Sequence, residues 1–153
     1  MAPNLSLNFM QNISHDQSYI VGIGSDLCDV NRIRDLYHKF DDKFLQRIFS
    51  NAERTYFSTI SAKQQVAFLA KRFAAKEAIS KAFGTGIGKN AFFTDITCLN
   101  MLNKAPYIRL TGRAHQTALN LVQKNNFSKY HIYISLSDEN QYALAFSILV
   151  GIK

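Results

Sequence analysis

Residues 68–88 read FLAKRFAAKEAISKAFGTGIG, and the reading of this stretch decides the fold. From Phe68 to Phe83 it contains no proline or glycine, alanine recurs, and apolar residues return every three or four positions, the pattern of a helix. Gly84, free to take positive φ just past the last turn, supplies the stop. The stripe Val66, Leu69/Ala70, Phe73 runs on to Glu77 and Lys81 along one face. A carboxylate therefore lies in line with the core-facing residues, where burying it alone would cost several kcal/mol; it needs a partner or a metal. Lys81, one turn on, is a candidate partner, although a Glu–Lys surface pair at that spacing contributes only about 0.2–0.5 kcal/mol. Lys71, Arg72 and Lys76 share the helix, which is thus expected to present four cations around one acid.

The chain around this helix has 153 residues, enough for one domain with a sizeable core. Its 47% apolar content fits a folded protein, and 19% charged residues argue against disorder. Cys28 and Cys98 lack metal-ligand spacing and fall in strand-like contexts, which reads as buried thiols in a reducing cytoplasm. No apolar run nears the roughly 18 residues of a membrane span, so no membrane association is expected. Residues 1–17 hold no Lys or Arg, unlike a signal peptide. Residues 1–18 are expected to form an N-terminal extension, flexible or lying as an arm on a neighbour. The net charge of +7 favours an anionic partner: nucleic acid, an acidic protein or a phosphorylated small molecule.

Upstream of the helix, residues 19–27, YIVGIGSDL, alternate as a strand, with Val21, Ile23, Ser25 and Leu27 on one face and Gly22, Gly24 and Asp26 on the other. Two bare positions ending in a carboxylate make a shallow trough, suited to close approach of a helix or a ligand. Asp26 could also cap the next helix. Residues 29–39 and 42–49 read as helices, and Asn51 as the cap of a third piece reaching Ile60. Their basic skin is either a solvated face or a docking surface for an acidic partner.

Downstream, Gly84-Thr85-Gly86-Ile87-Gly88 is not a Walker A loop, since the Gly-Lys-Ser/Thr ending and the strand-before-helix order are missing. Residues 92–101 and 107–110 read as strands, and Thr111 as the cap of a helix reaching Lys124. Residues 130–137 and 142–150 read as a hairpin that turns at Asp138-Glu139-Asn140. The order predicts an α+β domain over residues 19–153, a largely antiparallel sheet with the long central helix packed on one side.

Asp26 and Glu77 are the acids best placed to converge. Two carboxylates completed by waters and substrate phosphates make a natural Mg²⁺ site, and no His/Cys cluster argues for zinc. Lys81 beside such a metal would steady phosphate oxygens, with Arg72 as a second clamp. The composite reads as phosphoryl transfer or nucleotide handling. Nucleic-acid binding is the reading from another class, and no zinc-finger, RRM or KH signature supports it.

The segments GIGSDLCDVNRI (22–33), RIFSNAE (47–53), FLAKRFAAKEAISKAFGTGIG (68–88) and HIYISLSDENQYALA (131–145) together resemble the holo-acyl-carrier-protein synthase family, small homotrimeric 4'-phosphopantetheinyl transferases of bacteria. The resemblance implies that family's fold, a cytoplasmic location and active sites between adjacent subunits. The implied activity moves 4'-phosphopantetheine from coenzyme A to a serine of apo-acyl carrier protein in fatty acid biosynthesis. It releases adenosine 3',5'-bisphosphate and depends on Mg²⁺. A carrier protein of secondary metabolism is the alternative acceptor.

Residue by residue, the resemblance implies Asp26, Glu77 and Lys81 as the catalytic set, with Asp26 and Glu77 as metal ligands. It places Lys81 on the coenzyme's β-phosphate, Arg72, Ser80, Gly84 and Pro106 along the coenzyme, and Arg32 against the acidic carrier. The serine's base is either Glu77 or a water on the metal. The Gly22/Gly24 trough becomes room beside the pyrophosphate or for subunit contact. Three features depart from the family: the extension, Asn103-Lys104-Ala105-Pro106 in place of a Gly-Lys-Pro turn, and Asp138 where many relatives carry His.

Overall fold

In the computed structural model, which describes residues 18–153, the chain runs β1 (Ser18–Asp29), α1 (Val30–Phe40), α2 (Asp42–Ile48), α3 (Asn51–Phe57) and α4 (Ala62–Ala82). A 3-10 turn (Phe93–Asp95) comes next, then β2 (Ile96–Asn100), β3 (Pro106–Leu110), α5 (Gly112–Gln123), β4 (Lys129–Glu139) and β5 (Tyr142–Ile152). Strands β1, β5 and β4 form an antiparallel sheet in that order, and β2 and β3 form a separate antiparallel ribbon. The α+β class and the antiparallel pairing follow the sequence expectation. Ser18 already belongs to β1, so the strand takes the last residue of the expected extension; residues 1–17 lie outside the described residues.

The long helix α4 is buried along most of its length through Leu69, Ala70, Ala74, Ala75, Ala78, Ile79 and Ala82. So many alanines make a thin helix wall, and the strands under it are just as bare. Gly24 on β1 and Ala143, Ala145 and Ser147 on β5 are the buried positions of the alternation. A Cβ added at Gly22 would stand 1.9 Å from the Ala82 carbonyl oxygen, and one at Gly24 would stand 2.0 Å from that of Ala78. The main chain of α4 therefore fills the glycine trough. No room is left there for a pyrophosphate or a neighbouring subunit, and the helix-on-strand alternative is the one realised.

The same alternation turns large apolar residues to the opposite face of the sheet. Ile23, Leu27, Tyr133, Leu144 and Phe146 lie there, between 42% and 61% exposed. On the inner side, α5 adds a second packed cluster, with Ala114, Ala118 and Val122 against Ile79, Phe83, Ile96, Ile132 and Leu149.

Several boundaries differ from the sequence reading, each for a local reason. α4 starts at Ala62, where Gln64 N–H bonds the Ser61 carbonyl, and stops as expected before Gly84 at φ 72°. Asp29, not Asp26, caps α1, its Oδ1 accepting from Asn31 N at 2.8 Å. Ser50, not Asn51, caps α3, because Glu53 three residues on closes a capping box with it. Residues 93–95 coil into the 3-10 turn, with Asp95 Oδ2 accepting from Phe92 N at 3.2 Å, which shortens the strand expected over 92–101. Thr111 stands at the head of α5, but its hydroxyl donates to the Asp95 carbonyl instead of capping. The hairpin turns after Glu139, with Asn140 at φ 49°, so Asp138 and Glu139 are strand residues. No helix among the described residues is long and apolar enough to cross a membrane.

Candidate active site

Asp26 sits near the end of β1 on the same side as Gly22 and Gly24, paired in register with Ala145. Those glycines seat α4 directly on the strand, and this brings Glu77 of the helix beside Asp26. Burial raises Glu77 above the ordinary carboxylate range, and the Asp26 charge adds to the rise, while Lys81 and Arg32 oppose it.

Lys81 does not pair with Glu77 one turn back. Its Nζ crosses to the strand and donates to Asp26 Oδ1 at 2.9 Å and to the Ser25 carbonyl at 3.0 Å. Glu77 is left half-buried and joins none of the ion pairs among the described residues. Arg32, in the first turn of α1, lays its guanidinium 5.6 Å from the centre of the Phe73 ring. Asp26, Glu77, Lys81 and Arg32 thus form one cluster of two acids and two cations where β1, α1 and α4 meet.

Arg72 and Pro106 form a second group. Arg72, only 4% exposed, donates to the Cys98 carbonyl at 3.3 Å and to Asn100 Oδ1 at 2.8 Å, with its guanidinium 4.5 Å from the centre of the Phe68 ring. It borders a cleft of about 650 Å³ together with Tyr56, Lys63, Lys71 and Asp138. A neighbouring cleft of about 270 Å³ adds Lys104, Pro106 and Ser135. Across the larger cleft, Lys71 Nζ and Asp138 Oδ1 form an ion pair at 2.9 Å.

The two groups lie on different sides of α4. Arg72 precedes Glu77 by five positions, about 140° around a helix that turns 100° per residue. In the sheet, Asp26 pairs with Ala145 and Ala145 with Leu136, a residue of the smaller cleft. Two inter-strand steps amount to about 10 Å. Ser80 and Gly84 line neither cleft. The buried Ser80 hydroxyl donates to the Glu77 carbonyl of its own helix at 2.8 Å, and Gly84 is exposed.

Lys76, expected among the cations around Glu77, is instead fully buried. Its Nζ donates to Glu53 Oε2 and to the Phe93 carbonyl, each at 2.8 Å, and also to the Ile96 carbonyl. Burial pulls this ammonium below the ordinary lysine range, against the pull of Glu53. Glu53 also accepts from Ser50 N at 2.8 Å and from Cys98 N at 3.0 Å. Sequence reasoning missed Glu53; its signal was the Ser50-x-x-Glu53 spacing.

As donors for a metal, Asp26 and Glu77 stand as a pair: among the described residues no three His, Cys, Asp or Glu side chains cluster. Two oxygen donors suit a hard cation that completes its shell with water and substrate oxygens.

Residues 22–147 match the family model of the 4'-phosphopantetheinyl transferase superfamily. The chain is 44% identical over 126 residues to the holo-acyl-carrier-protein synthase of Vibrio vulnificus, covering 82% of this chain and 94% of that one. The crystal structure of the holo-acyl-carrier-protein synthase from Neisseria meningitidis shares 33% identity and a TM-score of 0.73, over 86% of this chain and 98% of that one. That of the Helicobacter pylori synthase in complex with coenzyme A shares 30% identity and a TM-score of 0.66, over 83% and 98%. With the β1 acid, the α4 acid and the turn of the closing hairpin all inside the matched span, the chain belongs to the 4'-phosphopantetheinyl transferase superfamily, as an enzyme of the holo-acyl-carrier-protein synthase family.

Proposed function

We propose that this enzyme transfers 4'-phosphopantetheine from coenzyme A to a serine hydroxyl of the apo-acyl carrier protein of fatty acid biosynthesis, releasing adenosine 3',5'-bisphosphate, with Asp26 and Glu77 holding Mg²⁺. The observation that carries the reading is the meeting of these two acids beside Lys81. Glu77 is half-buried, has no ion-pair partner among the described residues and is raised by burial and by Asp26. A divalent cation held by Asp26 and Glu77 would relieve that repulsion, and all-oxygen donors suit magnesium. Bound there, Mg²⁺ would neutralise charge on the pyrophosphate during transfer.

The side chains divide the remaining work. Lys81 is half-exposed and keeps its ammonium at the solvent side of the cluster, where it can hold an oxygen of the leaving phosphate. The serine's proton would pass to Glu77 or to a water held at the cluster. Arg72 is fixed by its bonds to Cys98 and Asn100 and offers a rigid wall to the coenzyme's phosphates, with Pro106 beyond it.

The separation of the Arg72/Pro106 group from the acids supports a homotrimer in which one copy completes the site of the next. The outward apolar face of Ile23, Leu27, Tyr133, Leu144 and Phe146 is the surface that such an assembly would bury. For the carrier protein, Arg32 stands at the acid cluster. An apolar groove of about 380 Å³ formed by Leu36, Phe40, Phe44 and Phe73, with Lys43 and Arg47 at its rim, lies along the same helices. An acidic, amphipathic partner would find there both a seat and a complementary charge. Cys28 and Cys98, both free and buried, are in keeping with a reducing cytoplasm.

The deciding experiment incubates the protein with coenzyme A, Mg²⁺ and apo-acyl carrier protein and weighs the carrier by mass spectrometry. A gain of one phosphopantetheine is expected. Folded protein that leaves the carrier's mass unchanged under several divalent metals overturns the reading. A secondary-metabolism carrier run in parallel identifies the preferred acceptor.

A further inference from the structure

We propose that Asp138 limits how tightly this enzyme holds its polyanionic coenzyme and product, by occupying Lys71 at the partition between the two clefts. The inference rests on the proposed function, in which the clefts beside Arg72 and Pro106 receive the coenzyme's phosphates.

The larger cleft is lined by three cations, Lys63, Lys71 and Arg72, and by one acid, Asp138. These cations are not equivalent. Arg72 is nearly buried and tied to Cys98, Asn100 and the Phe68 ring, so its charge is immobile. Among the described residues Lys71 has a single side-chain hydrogen bond, to Asp138 Oδ1 at 2.9 Å, and it remains partly exposed. Lys71, Arg72 and Asn100 border both clefts, and together they form the wall between them. A phosphate oxygen on either side of that wall must draw Lys71 away from Asp138 or share it.

Asp138 is held firmly enough to resist. It lies in β4, in register with Ala143 of β5, and comes after Ile132, Ile134 and Leu136 on the strand side that faces α4. Its backbone is fixed by the sheet, not by a mobile turn, which keeps its carboxylate within reach of Lys71. The cleft therefore combines attraction with a built-in opposing charge. An enzyme that must shed a bisphosphate at every turnover gains from such a counterweight, because release often governs the overall rate.

Calorimetric titration of adenosine 3',5'-bisphosphate into the full-length protein tests this, comparing wild type, Asp138→Asn, Lys71→Met and the double variant, with melting curves confirming that each is folded. Asp138→Asn is expected to bind about three- to fivefold tighter, the upper range for one exposed charge pair, and to lose affinity more steeply as salt rises. Lys71→Met binds more weakly, and in its background the gain from Asp138→Asn is smaller, because no ammonium is released. Wild-type binding with no gain in Asp138→Asn, or a gain of undiminished size without Lys71, overturns the proposal alone. No binding by any of the four proteins overturns the assignment of the cleft to the coenzyme, and the proposal with it.

Discussion

Glu53 and Lys76 meet at 2.8 Å, and neither side chain touches solvent. The pair joins α3 to α4 across 23 residues of sequence and gathers the Ser50 and Cys98 amides and the Phe93 and Ile96 carbonyls around it. It fixes the rotation of α4 one residue before Glu77. Lys76→Met strands a buried carboxylate and is expected to cost about 3–5 kcal/mol in urea unfolding. Adding Glu53→Leu recovers only part of this, since it takes away the acceptor of the Ser50 and Cys98 amides. Wild-type stability in the single variant would contradict the role given to the pair.

Gly24→Ala places a methyl 2.0 Å from the Ala78 carbonyl oxygen. Backbone on both sides leaves no flexible group to give way, so α4 and β1 must separate. A loss of about 1–3 kcal/mol is expected from overpacking, together with weaker Mg²⁺-dependent transfer as Glu77 retreats from Asp26. Thermal melts and transfer rates measured on the same preparation check both.

Glu77→Gln removes a charge without changing volume. The melting temperature should hold while kcat falls roughly 100-fold, on the scale of losing a key electrostatic contact in the transition state. An unchanged kcat would take Glu77 out of the chemistry.

Phe146→Glu puts a charge into the outward apolar face of the sheet. Sedimentation is expected to show the proposed trimer for the wild type and monomer for the variant, with transfer activity lost. In the intact assembly, co-expressed Arg72→Gln and Glu77→Gln subunits should regain activity that neither variant has alone, because a sound acid cluster on one copy can then face a sound Arg72 on the next.

Burial drives the Cys98 thiol up to about 11, against the lowering pull of Arg72 and Lys76. The folded value lies above the ordinary thiol value of about 8.5, so this group's contribution to stability is complete below that pH and is lost as pH rises towards the folded value. Unfolding free energy should therefore decline through this alkaline window, and Cys98→Ala should flatten the decline. Iodoacetamide at pH 8 should modify Cys98 only after the protein unfolds.

The two acids are legible in the sequence because each sits in a short-range pattern: Asp26 in a strand alternation and Glu77 on a helical stripe. The strand and helix are also readable, as is their packing in one of the two readings of the glycine trough. Lys76 is misread from sequence because spacing along a helix does not say which turn faces a distant segment, and its partner Glu53 comes from another helix. Lys81 answers Asp26 across 55 residues of sequence for the same reason. Asp138 reads as a turn residue because Asp-Glu-Asn-Gln contains no glycine to mark the bend; the register of β4 with β5 shows it to be a strand residue. The hairpin's alternation is plain, yet nothing local reveals that Ala143 and Ala145 face the helix while Leu144 and Phe146 face outward.

Where Gly22 and Gly24 abut the carbonyls of Ala82 and Ala78, no side chain stands between strand and helix. The gap between the two acids is therefore gauged by peptide units alone, which every amino acid shares. The width of this jaw depends first on those two positions staying bare.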